Sequence, residues 1–143
     1  MNICGIIGYP LKNPQTLLDW SKFLKKNNLS EKIKIEKYNI RNKNFKKKII
    51  NIFANKKFKA LAVTMPYKKK ILKFINNLDI SAKNAKSVNL VIKQNNKIVG
   101  YNTDVLGAEN CIKKYIQNFN RIILIGNGGA GSAIFNYLSK KYK

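Results

Sequence analysis

The junction Ile122-Ile123-Leu124-Ile125-Gly126-Asn127-Gly128-Gly129-Ala130-Gly131-Ser132-Ala133 constrains the fold of this chain more than any other stretch. Four consecutive apolar residues bounded by glycine read as a buried strand, with Arg121 at its start. The pattern after the glycines reads as a helix from Ala130 to about Lys140. Gly126 allows a tight turn, Gly128 lets the backbone approach a pyrophosphate, and Gly129, Ala130 and Ala133 keep the helix close to the strand. The helix start offers free N–H groups and a partial positive charge, which suit phosphate. Gly126, Asn127, Gly128, Gly129 and Ala130 are therefore candidate cofactor-binding positions. The structural alternative is a loop that only turns the chain. In a dinucleotide-binding unit the residue that reads the adenosine ribose lies about 20 residues past the glycines, after a second strand. The sequence stops at Lys143, short of that point. The unit is expected to be incomplete, with nothing to choose between NAD and NADP.

Upstream, the pattern alternates between strands and helices. Ile3–Ile7 reads as a strand running into Gly8-Tyr9-Pro10. A helix follows from about Pro14 to Asn27, with Leu17, Trp20 and Leu24 at helical spacing and Leu18 and Phe23 widening the face. Lys32–Asn39 alternates as a strand, with Ile33, Ile35 and Tyr38 on its apolar side. Phe45, Ile49, Ile50 and Phe53 mark a second helix, and Ala60–Thr64 a third strand. Pro66 suits the first turn of a helix carrying Ile71, Leu72 and Ile75. A short helix near Ser81–Lys86 precedes a hairpin of Val88–Lys93 and Lys97–Tyr101, turned by Asn95-Asn96. Asp104–Gln117 reads as a further helix. The expected class is α/β: a mainly parallel open sheet with helices on both faces, followed by an incomplete Rossmann-like unit.

Composition narrows the chemistry. The chain has no histidine and two cysteines, Cys4 and Cys111, without paired spacing. They read as reduced packing thiols of a cytoplasmic protein, and no metal site is expected. No long apolar run predicts a membrane span, and the N-terminus does not read as a secretory signal. The formal net charge of +23 would suit a nucleic-acid partner. However, only Arg41 and Arg121 of the 29 basic residues are arginines. The lysines are scattered, and asparagine and isoleucine are also heavily used, as an AT-rich coding bias would produce. A solvated surface that steers anionic ligands is the preferred reading. A basic nucleic-acid-binding domain is the alternative.

Two further segments carry candidate chemistry. Val63-Thr64-Met65-Pro66-Tyr67-Lys68 ends a strand where open α/β sheets bind ligands. Taken alone, Lys68 reads as a solvated charge like Lys69 and Lys70. Gly100-Tyr101-Asn102-Thr103-Asp104, with Gly107 after it, puts an acidic residue at a strand–helix junction. There Thr103 or Asp104 could equally be a helix cap. The two segments are expected to place Lys68 and Asp104 across one cleft.

Taken in order, Gly8-Tyr9-Pro10, Ala62 through Lys68, Ser87-Val88-Asn89-Leu90, Gly100 through Asp104, and Gly126 through Ala133 resemble the shikimate dehydrogenase family. The resemblance covers essentially the whole chain. It implies a substrate-binding α/β domain over residues 1–102 and the start of an NADP-binding domain over 103–143. The activity it implies is reversible, NADPH-dependent reduction of 3-dehydroshikimate to shikimate, in chorismate and aromatic amino acid biosynthesis. Lys68 matches the catalytic lysine and Asp104 its partner, while Thr64 and Asn89 match substrate-contacting polar residues. Of the paired serines usual in the family's first loop, Thr16 keeps a hydroxyl and Pro14 does not. Ala62 stands for the usual asparagine and Leu90 for the usual threonine. The expected ligands are a small carboxylate substrate and NADP, with no specific nucleic acid. The expectation for the 143 residues alone is a truncated chain that binds substrate with little or no turnover.

Overall fold

A computed structural model describes residues 1–116, 121–126 and 128–142. Its centre is a six-stranded sheet built from β1 (Asn2–Gly8), β2 (Ile33–Asn39), β3 (Phe58–Val63), β4 (Asn77–Leu78), β5 (Leu90–Gln94) and β6 (Lys97–Tyr101). The strand order is β2-β1-β3-β5-β6-β4. Three pairings are parallel (β1 with β2, β1 with β3, β4 with β6) and the two that involve β5 are antiparallel. The sheet is thus mixed. Because β5 runs backwards, its N-terminal end lies beside the C-terminal ends of β1, β3 and β6. One end of the sheet collects the loops after three strands and the loop before a fourth.

Alternation of side chains sorts the sheet into two faces. Ile7, Leu61, Val63 and Val91 join Tyr38, Phe45 and Ile49 in the main core. The helix α2 (Phe45–Ala54) contributes Phe45, Ile49 and Ile52 to it. Tyr67 is fully buried there, its ring stacked on Phe45 at 4.1 Å between centroids. The opposite face carries Ile6 and the helix α1 (Gln15–Lys26), whose Leu24 is buried.

Several local expectations are corrected. Leu18 and Phe23 do not widen the buried face of α1 but are exposed, and Ile50 of α2 points outward while Ile52 points in. Tyr38 lies on the face opposite to Ile33 and Ile35, because two-residue periodicity separates odd from even positions. No α-helix starts at Pro66. The segment turns, forms a 3-10 stretch at Lys70–Phe74, and ends in the short β4. The hairpin is as expected, with Asn95 and Asn96 at φ +46° and +61°.

The helices α3 (Ile80–Ala85), α4 (Thr103–Ile116) and α5 (Gly129–Lys141) pack together. Ala85, Val105, Ala133, Tyr137 and Leu138 form a second, smaller core. Residues 121–126 form no strand. Ile123 is 79% exposed and Ile125 97% exposed. Apolar sequence alone does not make a strand. The ladder needs a partner, and the described residues offer none to this segment. Gln117, the expected end of α4, lies outside the described residues. No described helix is long and apolar enough to cross a membrane.

Candidate functional site

The loops at the shared end of the sheet frame a cleft of about 390 Å³. Thr16, Thr64, Lys68, Asn89 and Asp104 all line it. The loops after β1 and β3 both turn on cis X–Pro bonds, Tyr9–Pro10 and Met65–Pro66. Lys68 is held by its neighbours: the Tyr67 side chain sits in the core, and the Lys68 carbonyl accepts a hydrogen bond from the Val88 N–H at 2.9 Å. Its ammonium therefore projects from a fixed backbone.

Lys68 Nζ donates to Asp104 Oδ2 at 2.6 Å. The expected approach across 36 positions is met. The other carboxylate oxygen, Oδ1, accepts from Asn89 Nδ2 at 2.7 Å. Asn89 Nδ2 also donates to Thr103 Oγ1 at 2.9 Å, and Asn89 Oδ1 accepts from the Thr103 N–H at 2.8 Å. Asn89 itself is pinned between strands, since its N–H donates to the Tyr101 carbonyl and its carbonyl accepts from the Val63 N–H. Both lysine and carboxylate are half-buried, so their attraction is only partly screened by water. Asp104 also lies in the first turn of α4, where the helix dipole favours negative charge.

Neither Thr103 nor Asp104 is the helix cap. That role falls to Asn102, which is fully buried and whose Oδ1 accepts from the Val105 N–H at 3.2 Å. Asn102 Nδ2 donates to the Ser87 carbonyl and hydroxyl, and its backbone N–H donates to Ser81 Oγ. Ser81 in turn donates its hydroxyl and N–H to Asp79 Oδ1, which holds the Asp79 carboxyl below the usual carboxylate range. Capping by Asn102 leaves the Asp104 carboxylate to face the cleft. The sequence reading missed Asn102 although asparagine ranks with the best caps. It also missed Trp20, which lines the cleft one turn after Thr16. In the sequence its helical spacing with Leu17 and Leu24 points only to packing.

The glycine junction lies apart from the residues that line this cleft. Gly126 adopts φ +107°, a turn that other residues rarely make. Gly131, not Gly129, is the position of close approach: a Cβ there would collide with the Gly126 carbonyl oxygen, whereas one at Gly128 or Gly129 would meet open space. The first helical bond of α5 runs from the Ser132 N–H to the Gly128 carbonyl at 2.9 Å. The N–H groups of Gly129, Ala130 and Gly131 thus have no partner within the helix. The open space beside Gly128 and Gly129 lets a phosphate approach these N–H groups. Asn127, the remaining candidate there, lies outside the described residues. Among the described residues no cluster of three metal-ligating side chains occurs.

Comparison with known proteins points the same way. Residues 6–91 match the family described as the shikimate dehydrogenase substrate binding domain. A relative from Pyrococcus furiosus, named shikimate dehydrogenase (NADP(+)), is 34% identical over 142 residues, covering 96% of this chain and 50% of the relative. The crystal structure of shikimate dehydrogenase from Aquifex aeolicus superposes with a TM-score of 0.79 at 26% identity, over 98% of this chain and 52% of that one. The Thermus thermophilus enzyme, solved with NADP(H) and shikimate, shares the fold at a TM-score of 0.76 and 20% identity, over 99% of this chain and 53% of that one. This chain spans about half the length of the curated relatives it matches.

Proposed function

We propose that this chain, which belongs to the shikimate dehydrogenase family, forms the substrate site of an NADPH-dependent oxidoreductase that reduces 3-dehydroshikimate to shikimate reversibly. The observation that carries the reading is the Lys68–Asp104 pair at 2.6 Å, locked by Asn89 at the ligand-binding end of the sheet. Residues 1–102 serve as the substrate-binding domain and 103–143 as the opening of the dinucleotide-binding domain. Packing bridges that boundary, since Ala85 of α3 shares a core with Ala133 and Tyr137 of α5.

A carbonyl that gains hydride becomes an alkoxide and needs a proton. The Lys68 ammonium supplies it, and Asp104 holds that ammonium in place and accepts a hydrogen bond from a substrate hydroxyl. Thr16 and Thr64 offer hydroxyls to the rest of the substrate. When bound, NADPH would supply the hydride; Gly126, Gly128, Gly129 and Ala130, with Asn127, are the residues that would hold its phosphates at the start of α5. The two free cysteines suit a reducing compartment, and a cytoplasmic location belongs to the same reading. Scattered lysines steer the anionic ligands; no specific nucleic acid is involved.

Steady-state reduction of 3-dehydroshikimate with NADPH, compared between a completed enzyme that carries these 143 residues and its Lys68→Ala variant, tests this. The expected loss lies in kcat, about 100-fold or more, with little change in KM, because a proton donor acts mainly in the transition state. An unchanged kcat removes Lys68 from the reaction.

A further inference from the structure

Among the described residues one charged side chain is buried, Glu109 of α4. It takes no part in the proton transfer. Its Oε2 accepts from the Tyr137 hydroxyl at 2.7 Å. Its Oε1 accepts from the Tyr142 hydroxyl at 2.6 Å and pairs with Lys141 Nζ at 2.6 Å. All three partners come from the C-terminal half of α5 and the residue after it.

Protonating or unpairing such a carboxylate is costly, yet replacing it with a well-packed apolar residue often costs nothing. What the charged group adds is direction. The apolar contacts nearby are small: Ala85, Val105 and Ala133 share their core with Tyr137 and Leu138. Alanine and valine surfaces let two helices shift against each other. Hydrogen bonds from three donors to one carboxylate fix their register.

The position of Glu109 gives that register a use. Five residues after Asp104, it points about 140° round the helix and lies about 7.5 Å along its axis. One helix thus turns Asp104 into the cleft and Glu109 toward α5. The other begins with the N–H groups of Gly129, Ala130 and Gly131, which no helical carbonyl accepts. We propose that Glu109 is a positioning residue, whose carboxylate, held by Tyr137, Lys141 and Tyr142, sets the distance between the phosphate turn at Gly128–Gly131 and the Lys68–Asp104 pair. The inference rests on the reading of that pair and that turn given above. Without the clamp α5 pivots on its packed Ala133. A swing of about 10° there moves Gly129, about 6 Å along the axis, by about 1 Å. A misplacement of about that size can cost about 100-fold in rate.

The test uses a completed enzyme that carries these 143 residues. Glu109→Leu removes all three bonds and keeps an apolar side chain in the core. Per folded molecule, with the folded fraction taken from unfolding curves, kcat is expected to fall about tenfold or more. Calorimetry should find the affinities for 3-dehydroshikimate alone and for NADPH alone within about twofold of the native values, since each half-site stays whole and only their spacing changes. Tyr137→Phe combined with Tyr142→Phe, which deletes two donors and keeps both rings, gives the same split if the leucine variant does not fold. An unchanged kcat, or a loss matched by weaker binding of either ligand alone, overturns the positioning role. Two control variants separate failure of the underlying reading. Gly128 sits at φ −73° with open space beside it, so valine is accommodated there and obstructs only the approach of a phosphate. Unchanged NADPH affinity in Gly128→Val, or unchanged kcat in Lys68→Ala, removes the turn or the pair, and the proposal falls with it.

Discussion

The cleft end of the sheet and the glycine junction are built from similar residues and held in different ways. Around the cleft, each functional side chain hangs from a backbone that is itself fixed. Lys68 is tied by Val88, and Asn89 is tied to Val63 and Tyr101. At the junction, the apolar residues Ile122–Ile125 have no ladder among the described residues, and only the helix that follows is packed. Isoleucine marks the contrast, since Ile7 is fully buried whereas Ile125 is 97% exposed. An apolar residue therefore contributes stability only where tertiary partners close over it. A glycine loop, by contrast, keeps its shape through local backbone conformation.

The largest expected effect tests the fixed side of this comparison. Ile7 lies in the core with Tyr38, Phe45, Ile49 and Val63, and its carbonyl accepts the Thr64 N–H that opens the loop toward Lys68. Ile7→Ala removes buried methyl groups and leaves a cavity, and it is expected to cost about 2–5 kcal/mol. Denaturant unfolding of the full chain measures it. A loss under about 1 kcal/mol would mean that the core relaxes freely around β1, and the rigidity ascribed to the cleft would fall with it.

How far each region could be read from sequence follows from the same physics. Strands β1 and β3 and the hairpin carry local signals strong enough to stand alone. Thr16, Thr64, Lys68, Asn89 and Asp104 form a set only through the family resemblance, and all five line one cleft. Lys68 by composition was one lysine among many. Its distinction comes from Val88 and Tyr67, partners that are distant or indistinct in the sequence. The Pro66 helix failed because a proline tolerated in a first helical turn is equally at home in a β-turn, here closed by the Tyr67 N–H on the Thr64 carbonyl. The strand at 122–125 failed because periodicity reports burial, and burial requires a neighbour.

A middle-sized effect sharpens the comparison at the second core. Glu109 of α4 is buried and accepts hydrogen bonds from Tyr137 at 2.7 Å and Tyr142 at 2.6 Å, with Lys141 Nζ at 2.6 Å. The Lys141 ammonium first, then the two phenols, hold its carboxyl down at about 2. A carboxylate held below its unfolded value, about 4.3, contributes stability that is fully present above that value. The contribution is lost as pH falls from there through about 2. Thermal unfolding is expected to weaken across this window, and Glu109→Gln is expected to flatten that part of the profile. Asp79 and Glu36 are also held low and shape the acid limb in both proteins, so the difference between the two profiles isolates Glu109. Parallel profiles would detach α5 from α4.

The smallest expected effect comes from Ile125, where the same chemical change as at Ile7 should do almost nothing. Ile125→Ala removes apolar surface that is already in water, so neither transfer free energy nor a cavity enters. Substitutions at such surface positions stay within about 0.5 kcal/mol. The adjacent Gly126 at φ +107° is untouched by the change, and the Gly126–Gly131 approach depends on backbone atoms alone. Unfolding midpoints of the full chain and of Ile125→Ala should therefore coincide, with equal denaturant dependence. A loss of 1 kcal/mol or more, by rough transfer arithmetic a buried methylene's worth, would show that Ile125 is covered in solution. The two regions would then be held by the same means.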